Sequence, residues 1–295
     1  MQALLRFLLL LVLCGSARAD IILLVSDDKG AVAAATRSVQ AAYNGKIELH
    51  NLGASREREN EIVQAIRASS TRQVVAVGLL AAQVARQRLE GKQVVFCQVL
   101  NVEEFNLTAP WMKGVSGIPS LLRQFSAWKM LDPSLRRIGL ITGHNAKYMV
   151  AEADAAAKAL GLELDHVEVA SDRAVLSALQ ELRERRVQGL WLAPDSTILN
   201  QRTILDLMAY SVKHNVQVLA FSPALLKEGA LLSASADTDD IAHLALDRLR
   251  RASNGALPGD ALTPLLGARI SINSAAAARF GLDISPKLRE LADVQ

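Results

Sequence analysis

"KGVSGIPSLLRQFSAWKMLDPSLRRIGLITG", residues Lys113–Gly143, is the stretch that decides the fold. Small residues lead into an amphipathic helix, and Pro119 is predicted in its first turn, where proline is tolerated. The helix is expected to end at Asp132-Pro133, because proline cannot continue a helix. An apolar strand follows at 136–143. The stretch therefore predicts that a second α/β unit opens here and that the chain crosses into it.

Before this stretch, short apolar strands alternate with amphipathic helices. Ser55 is a predicted N-cap for one of the helices. Continuous apolar strands separated by helices indicate a parallel sheet with helices on both faces. The predicted strands are 21–26, 46–52, 73–78 and 92–100, and the predicted helices are 31–45, 55–70 and 79–91.

After the stretch the same alternation starts again, so the fold class predicted is α/β with two doubly wound parallel-sheet lobes. An additional amphipathic helix at 237–255 and a strand-like exit at 261–272 follow the repeat. The repeat itself has predicted strands at 136–143, 162–169, 188–194 and 216–222, and predicted helices at 145–161, 172–187 and 196–215.

The N-terminus predicts export. Residues 1–19 place Arg6 before an apolar run and end in Ala-Arg-Ala, which is the pattern of a cleaved signal peptide. A lipid-attachment role for Cys14 is disfavoured because Leu13 precedes it, where a small residue is expected. We therefore expect a mature periplasmic protein that begins at Asp20.

The composition excludes several classes. Loss of Arg6 and Arg18 lowers the net charge from +3 to +1, and the Arg-Arg pairs are scattered, so no nucleic-acid partner is predicted. Cys97 would be the lone mature cysteine, which predicts a buried structural thiol and no disulfide. Trp128 is predicted in the core.

Enzyme motifs are also missing from the sequence. The chain contains neither a phosphate-binding glycine loop nor histidines at metal-ligand spacing, and Gly114-Val-Ser-Gly117 does not fit a nucleophile elbow. We predict no cofactor, no metal and no catalysis, although a small α/β enzyme is a third interpretation of the pattern. The predicted signal peptide disfavours a transcription regulator.

Several segments together resemble the ABC-transporter substrate-binding proteins of the tryptophan/tyrosine type, which have a type I periplasmic-binding-protein fold. The resemblance covers most of the mature chain. Each motif is weak alone, and the shared order and spacing carry the likeness. The segments are 74–85, 114–143, 192–199, 218–237 and 272–293.

The resemblance implies two lobes joined by a three-crossing hinge, 20–117 plus 238–266 and 118–237 plus 267–295. A small solute, an amino acid or a related molecule, would be captured in an interlobe cleft and delivered to an inner-membrane ABC permease. The protein would be a monomer that closes around its ligand. The alternative is a periplasmic ligand-sensing or uptake-accessory protein without a dedicated permease.

The resemblance also implies ligand-binding residues in the turns that follow the strands. Asp27 and Asp28 have an alternative interpretation as helix caps, Asp195 has the same alternative, and His144 faces either ligand or solvent. The implied set is Ser26, Asp27, Asp28, Gly78, Leu79, Leu80 and Asn101 in the first lobe, Thr142, His144, Asn145, Asp195, Ser196, Phe221 and Ser222 in the second, and Asp237 at the second crossing.

Three positions depart from the family pattern. Leu79, Gly117 and Thr238 stand where the family usually has Thr, Asp and Tyr. A hydroxyl, a carboxylate and a stacking ring are thereby lost. The departures favour a ligand that is larger or more apolar than a free aromatic amino acid, or an altered solute-binding role.

Overall fold

The computed structural model describes residues 19–100, 102, 104–146, 148–252 and 256–295. Residues 1–18 of the predicted signal peptide, with Cys14, and Asn101 lie outside the described residues. The chain forms two compact units, each with one sheet and its own helices. Of the described residues, the first unit contains those up to Val99 with Leu107–Val115 and Ala242–Thr263, and the second contains those in Leu100–Asn106, Ser116–Ile241 and Pro264–Gln295.

The first sheet has six strands in the order β11-β5-β4-β3-β1-β2, and the pairings of β1 with β2 and β3, of β3 with β4 and of β4 with β5 are parallel. Its strands are β1 (Ile21–Val25), β2 (Ile47–Asn51), β3 (Gln73–Val77), β4 (Gln93–Cys97), β5 (Met112–Pro119) and β11 (Leu262–Leu265). The helices between them are α1 (Gly30–Ala42), α2 (Glu59–Ala68) and α3 (Leu79–Arg88).

The second sheet has seven strands in the order β13-β12-β10-β9-β8-β6-β7, in which the β10–β12 pair is antiparallel. Its strands are β6 (Arg137–Thr142), β7 (Glu163–Glu168), β8 (Gly189–Trp191), β9 (Gln217–Ala220), β10 (Leu232–Ser235), β12 (Arg269–Ile272) and β13 (Ala292–Val294). The helices from here to the C-terminus are α4 (Leu121–Leu131), α5 (Tyr148–Ala159), α6 (Val175–Glu184), α7 (Gln201–His214), α8 (Thr238–Arg250), α9 (Ser274–Arg279) and α10 (Pro286–Leu291).

The apolar strands are buried on both faces, as a parallel sheet requires. Every residue of β1 is buried. Along β8 the side chains alternate between two cores, because Leu190 joins one apolar cluster and Trp191 the other. The predicted α/β class with two doubly wound, mainly parallel sheets is confirmed.

Trp128 on α4 explains how the opening stretch builds the second unit. A Cβ atom on Gly189 would overlap the Trp128 ring, so the indole lies directly on the backbone of β8. Phe125, one turn earlier, packs edge-to-face on Trp191 with ring centroids 5.5 Å apart. The predicted core position of Trp128 is confirmed, since the residue is fully buried.

A buried polar chain fixes the end of α4. Trp128 Nε1 donates to Gln217 Oε1 at 2.6 Å, and Gln217 Nε2 donates to Asp132 Oδ2 at 2.6 Å. The backbone N–H of Ser134 donates to Asp132 Oδ1 at 2.9 Å. Burial opposes ionisation of Asp132, but the hydrogen bonds from Ser134 and Gln217 outweigh it and lower the pKa of Asp132. The helix therefore ends at a satisfied carboxylate.

A buried arginine holds the edge of the first sheet. Arg248 on α8 is 4% exposed. Its Nη1 donates to Gly114 O at 3.0 Å and also bonds Thr263 Oγ1, and its Nη2 bonds the carbonyl oxygens of Pro258 and Asp260. One side chain thus satisfies acceptors on β5, on β11 and in the loop that precedes β11.

The predicted starts of α4 and α2 are wrong. Pro119 is the last residue of β5, and α4 begins two residues later after Ser120. Residues 112–119 form a strand that the sequence analysis did not predict. Ser55 is not the N-cap of α2, because Arg58 holds that position, and the Ser55 hydroxyl instead accepts from Glu57 N at 3.1 Å within a turn.

Predicted starts in the second unit were also too early. Helix α7 begins at Gln201, where Asn200 and Thr203 form a reciprocal capping box. The residues before α5 and α6 form 3-10 turns at His144–Ala146 and Asp172–Ala174. The predicted strand 261–272 is two strands, β11 and β12, because residues 266–268 between them are not in strand conformation.

Substitution of Asp132 by asparagine tests the polar chain. An amide in place of the carboxylate must turn an N–H₂ group toward either Gln217 Nε2 or the Ser134 N–H. We expect Asp132→Asn to lower the free energy of unfolding in urea by about 2 kcal/mol at pH 7. Because the folded-state pKa is lowered, the difference from the parent protein is expected to shrink as pH falls below the ordinary value of 3.8. Asp283→Asn, at an exposed position, is the control.

Arg248→Met removes donors from four oxygen acceptors while keeping an aliphatic side chain. Unsatisfied buried carbonyls each cost about 1–3 kcal/mol, so we expect a loss of at least 3 kcal/mol of unfolding free energy. Arg250→Met on the same helix is the matched control, since the Arg250 side chain is 72% exposed. Equal stability of the two variants would contradict the role given to Arg248.

Candidate functional site

Each sheet has one switch point, where successive strands are added on the opposite side. In the first sheet, β2 lies on one side of β1, and β3 and β4 lie on the other. In the second sheet, β7 lies on one side of β6, and β8 and β9 lie on the other. In open parallel sheets of this kind, ligands bind outside the carboxyl ends of the strands at such switch points. The loops after β1, β3, β6 and β8 are therefore the candidate ligand-binding elements of the two units.

At the switch point of the first unit, Ser26 joins the two loops. Its Oγ accepts the backbone N–H of Ala81 in the first turn of α3 at 2.9 Å. Gly78 has a φ of +90°, and a Cβ atom there would lie 2.6 Å from Ser26 Oγ and 3.0 Å from Val32 Cγ2. Glycine is therefore required at 78 both for its backbone conformation and for the close approach of Ser26.

The other predicted residues of the first unit lie on the same edge. Asp27 Oδ1 accepts the Lys29 N–H at 2.8 Å, and Asp28 is exposed. Neither carboxylate caps α1, because its N-cap is Lys29 and makes no side-chain cap bond. The capping alternative is therefore wrong, and the ligand-binding interpretation stays a prediction. Leu79 and Leu80 are half-buried at the start of α3.

At the switch point of the second unit, Asp195 plays the joining role. Its Oδ2 accepts the Gly143 N–H at 2.7 Å, and its Oδ1 accepts the Thr197 N–H at 2.9 Å. Asp195 is 1% exposed. Since α7 starts later and is capped by Asn200, Asp195 is not a helix cap, and it instead ties the loop after β6 to the loop after β8.

The remaining predicted residues of the second unit lie around this tie. Thr142 is fully buried, and its Oγ1 pairs with His166 Nε2 at 2.8 Å. The His144 side chain is 80% exposed, with Nδ1 3.0 Å from Glu168 Oε1, and Asn145 lies in the same 3-10 turn. Ser196 is exposed, Phe221 packs partly on the core, and Ser222 Oγ accepts Ala224 N at 3.4 Å.

Asp237 is engaged by a residue that the sequence analysis missed. Arg269, the first residue of β12, donates from Nη2 to Asp237 Oδ2 at 2.9 Å, and Asp237 Oδ1 accepts the Asp239 N–H at 2.9 Å. Burial opposes ionisation of Asp237, but the bond and charge of Arg269 and the Asp239 amide outweigh it, so the pKa of Asp237 is lowered. Arg269 lies at the carboxyl edge of the second sheet because it pairs with Ser235 at the end of β10.

Other chemistries find no support in the described part of the chain. Among the described residues, no group of three His, Cys, Asp or Glu side chains is placed to hold a metal ion. Burial raises the pKa of the Cys97 thiol to about 12, so this fully buried cysteine stays protonated and unreactive. No helix within the described ranges is both long and apolar enough to cross a membrane.

The comparisons identify the family. The model of the ABC transporter substrate binding protein family matches residues 34–294. The chain belongs to this family. The carboxyl-edge loops of each unit of this substrate-binding protein are therefore its candidate solute-binding elements. A search of curated proteins finds no match.

Solved structures share the fold at low sequence identity. An ABC domain from Streptococcus pneumonia in complex with L-Trp is 19% identical, with a TM-score of 0.64 over 94% of this chain and 100% of that one. The ligand-free, open form of a substrate binding protein with adhesive properties from Clostridium difficile is 14% identical, with a TM-score of 0.73 over 94% and 99%. An arabinose binding protein from Geobacillus stearothermophilus is 15% identical, with a TM-score of 0.56 over 89% and 99%.

Gly78→Ala tests the first switch point. The added methyl group meets both an unfavourable φ and the Ser26 hydroxyl, so we expect a loss of about 2–4 kcal/mol of unfolding free energy. Gly91→Ala is the matched control, because Gly91 has a φ of +96° but open space around its Cβ position. The excess loss at position 78, measured by urea unfolding, reports the crowding alone. Equal losses would show that the Ser26 contact imposes no constraint.

Proposed function

We propose that the protein is an exported periplasmic receptor that captures a small solute, an amino acid or a related molecule, and delivers it as a monomer to an inner-membrane ABC permease. The observation that carries this proposal is the tied switch point present in both units of a substrate-binding family member. In the first unit Ser26 accepts a backbone N–H from the first turn of α3, and in the second unit Asp195, in the loop after β8, accepts a backbone N–H from the loop after β6.

These ties support binding because they preorganise the loops. The Ser26 bond fixes the first turn of α3, and the Asp195 bonds fix the turns at Gly143 and Thr197. A solute that docks on loops already held in place does not have to order them, so more of its contact energy appears as affinity. The backbone N–H groups at a helix N-terminus favour a negatively charged or strongly polar ligand group.

The similar structures bind different solutes. Of the similar structures, one is a complex with L-Trp and another is an arabinose binding protein. The family resemblance supports an amino acid or a related solute, whereas Leu79, Gly117 and Thr238 support a more apolar one. We propose that the solute of this protein is neither tryptophan nor tyrosine.

A thermal-shift screen of the mature protein tests solute capture. Protein beginning at Asp20 is mixed with amino acids, short peptides, sugars and aromatic acids at millimolar concentration. A solute present at 100 times its Kd adds roughly 2.7 kcal/mol of stability and gives an increase of several degrees in Tm. At least one solute is expected to do so. A protein that no small solute stabilises would contradict the proposal.

The tie at Asp195 gives a second test once a solute has been found. Asp195→Ala leaves the Gly143 and Thr197 N–H groups without their common acceptor. We expect calorimetric affinity to fall at least tenfold, while Asp206→Ala on the outer part of α7 leaves it unchanged. Unchanged affinity in Asp195→Ala would remove Asp195 from the site.

A further inference from the structure

We infer that the solute presents an apolar group and carries no ammonium group, so that it belongs to the apolar carboxylic acids or neutral apolar compounds rather than to the free α-amino acids. This inference rests on the proposed function, because it names the class of solute that the same loops receive. It depends on which polar groups at the two carboxyl edges are already engaged within their own units.

Asp237, the acidic residue at the second crossing, is already paired with a cation. Its two oxygens accept from Arg269 Nη2 and from the Asp239 backbone N–H, both at 2.9 Å. The Arg269 guanidinium is thus an internal cation at the position where a ligand ammonium would neutralise Asp237. A ligand ammonium would have to displace Arg269, whose side chain is 56% exposed, or share the carboxylate with it, and a second cation beside the guanidinium is repelled.

The other buried polar groups at the two carboxyl edges are also hydrogen-bonded within their own units. Asp195 has both carboxylate oxygens bonded to backbone N–H groups and is almost fully buried. Thr142 Oγ1 is paired with His166, and Ser26 Oγ accepts from Ala81 N. These groups hold the loops together. At 1% exposure, the Asp195 carboxylate cannot be reached by a solute ammonium unless its bonds to Gly143 and Thr197 open.

Two carboxylates on the first edge have a different environment. Asp27 accepts the Lys29 N–H, and the exposed Asp28 adjoins the same cationic residue just before α1. The positive N-terminal end of the α1 dipole also stabilises the negative charge of both carboxylates. Ion pairs formed by such exposed carboxylates contribute at most about 1 kcal/mol, too little to select an ammonium.

Apolar side chains lie at the same edges. Val32, Leu79 and Leu80 are half-buried beside Gly78, and Leu79 stands where the resemblance implies a hydroxyl. In the second unit, the side chains behind the loop after β8 are apolar and mostly buried, and the cavity between them is only about 10 Å³, room for no more than a water molecule. Its lining consists of Ile141, Val175, Leu190, Trp191, Leu192, Ala193, Ile198, Leu199 and Leu207. The accessible apolar surface is therefore the one formed by Val32, Leu79 and Leu80, and a solute group that meets it must be apolar to bind favourably.

Pairs of compounds that differ only in the ammonium group test the inference. L-Tryptophan is compared with indole-3-propionate, L-tyrosine with 3-(4-hydroxyphenyl)propionate, and L-leucine with 4-methylpentanoate, each by thermal shift and calorimetry on the mature protein. Indole and toluene serve as neutral apolar probes. We expect at least one ammonium-free compound to bind, and to bind at least tenfold more tightly than its amino-acid partner.

The outcomes separate the inference from the proposed function. Tighter binding of an amino acid than of its ammonium-free partner overturns the inference and leaves solute capture intact. Failure of every ammonium-free probe to bind also overturns the inference. Solute capture is then decided by the thermal-shift screen of amino acids, peptides, sugars and aromatic acids. The expected tenfold preference supports both.

The Arg269→Ala variant tests the internal cation itself. Removal of the guanidinium exposes Asp237 to a ligand ammonium, so the preference for the ammonium-free compound is expected to fall at least fivefold. Arg289→Ala, at an exposed position on α10 of the same unit, is the control and should keep the parent preference. An unchanged preference in Arg269→Ala would overturn the part assigned to Arg269.

Discussion

The contact between the Trp128 indole and the bare backbone of Gly189 is the constraint on which the second unit depends. No side chain larger than hydrogen fits at 189, so α4 approaches β8 closely and the indole reaches Gln217 beyond it. Gln217 in turn binds Asp132, which ends the helix and returns the chain into β6. One apolar contact and one polar chain thus place α4, β6, β8 and β9 relative to one another, and the edge that these strands share carries the candidate site.

The two units use one device at their switch points. Ser26 after β1 accepts an N–H from the first turn of α3, the helix that follows β3, and Asp195 after β8 accepts an N–H from the loop after β6. Glycine lies beside both ties: Gly78 leaves room for Ser26, and a Cβ on Gly143 would lie 2.9 Å from Thr197 Cβ. Close packing at these points gives rigid loops, and rigid loops are what a solute receptor needs at its binding edges.

The sequence predicted most of what depends on local pattern. Continuous apolar runs gave the strands, and the helix-breaking Asp132-Pro133 gave the boundary before β6. Pro119 was misjudged because proline at the end of a strand and proline in the first turn of a helix satisfy the same local rule. Ser55 precedes a turn instead of a helix, which a capping pattern alone does not distinguish.

Long-range pairings could not be predicted in this way. Arg269 lies 32 residues from Asp237, and no periodicity links them until the antiparallel β10–β12 register brings both to one edge. Asp195 reads as a helix cap in sequence, yet its partner Gly143 is 52 residues away. The fold therefore followed from patterning, whereas the engagement of the site's polar groups followed only from the topology of the sheets.

Backbone hydrogen exchange with and without a stabilising solute tests the central claim most directly, because it reports on each loop separately. The account predicts that the solute slows exchange at the carboxyl edge of a sheet, in segment 78–82 of the first unit or in segments 143–146 and 195–199 of the second, and leaves the outer surfaces of α2 and α7 unaffected. Slowing confined to the opposite ends of the strands would contradict it.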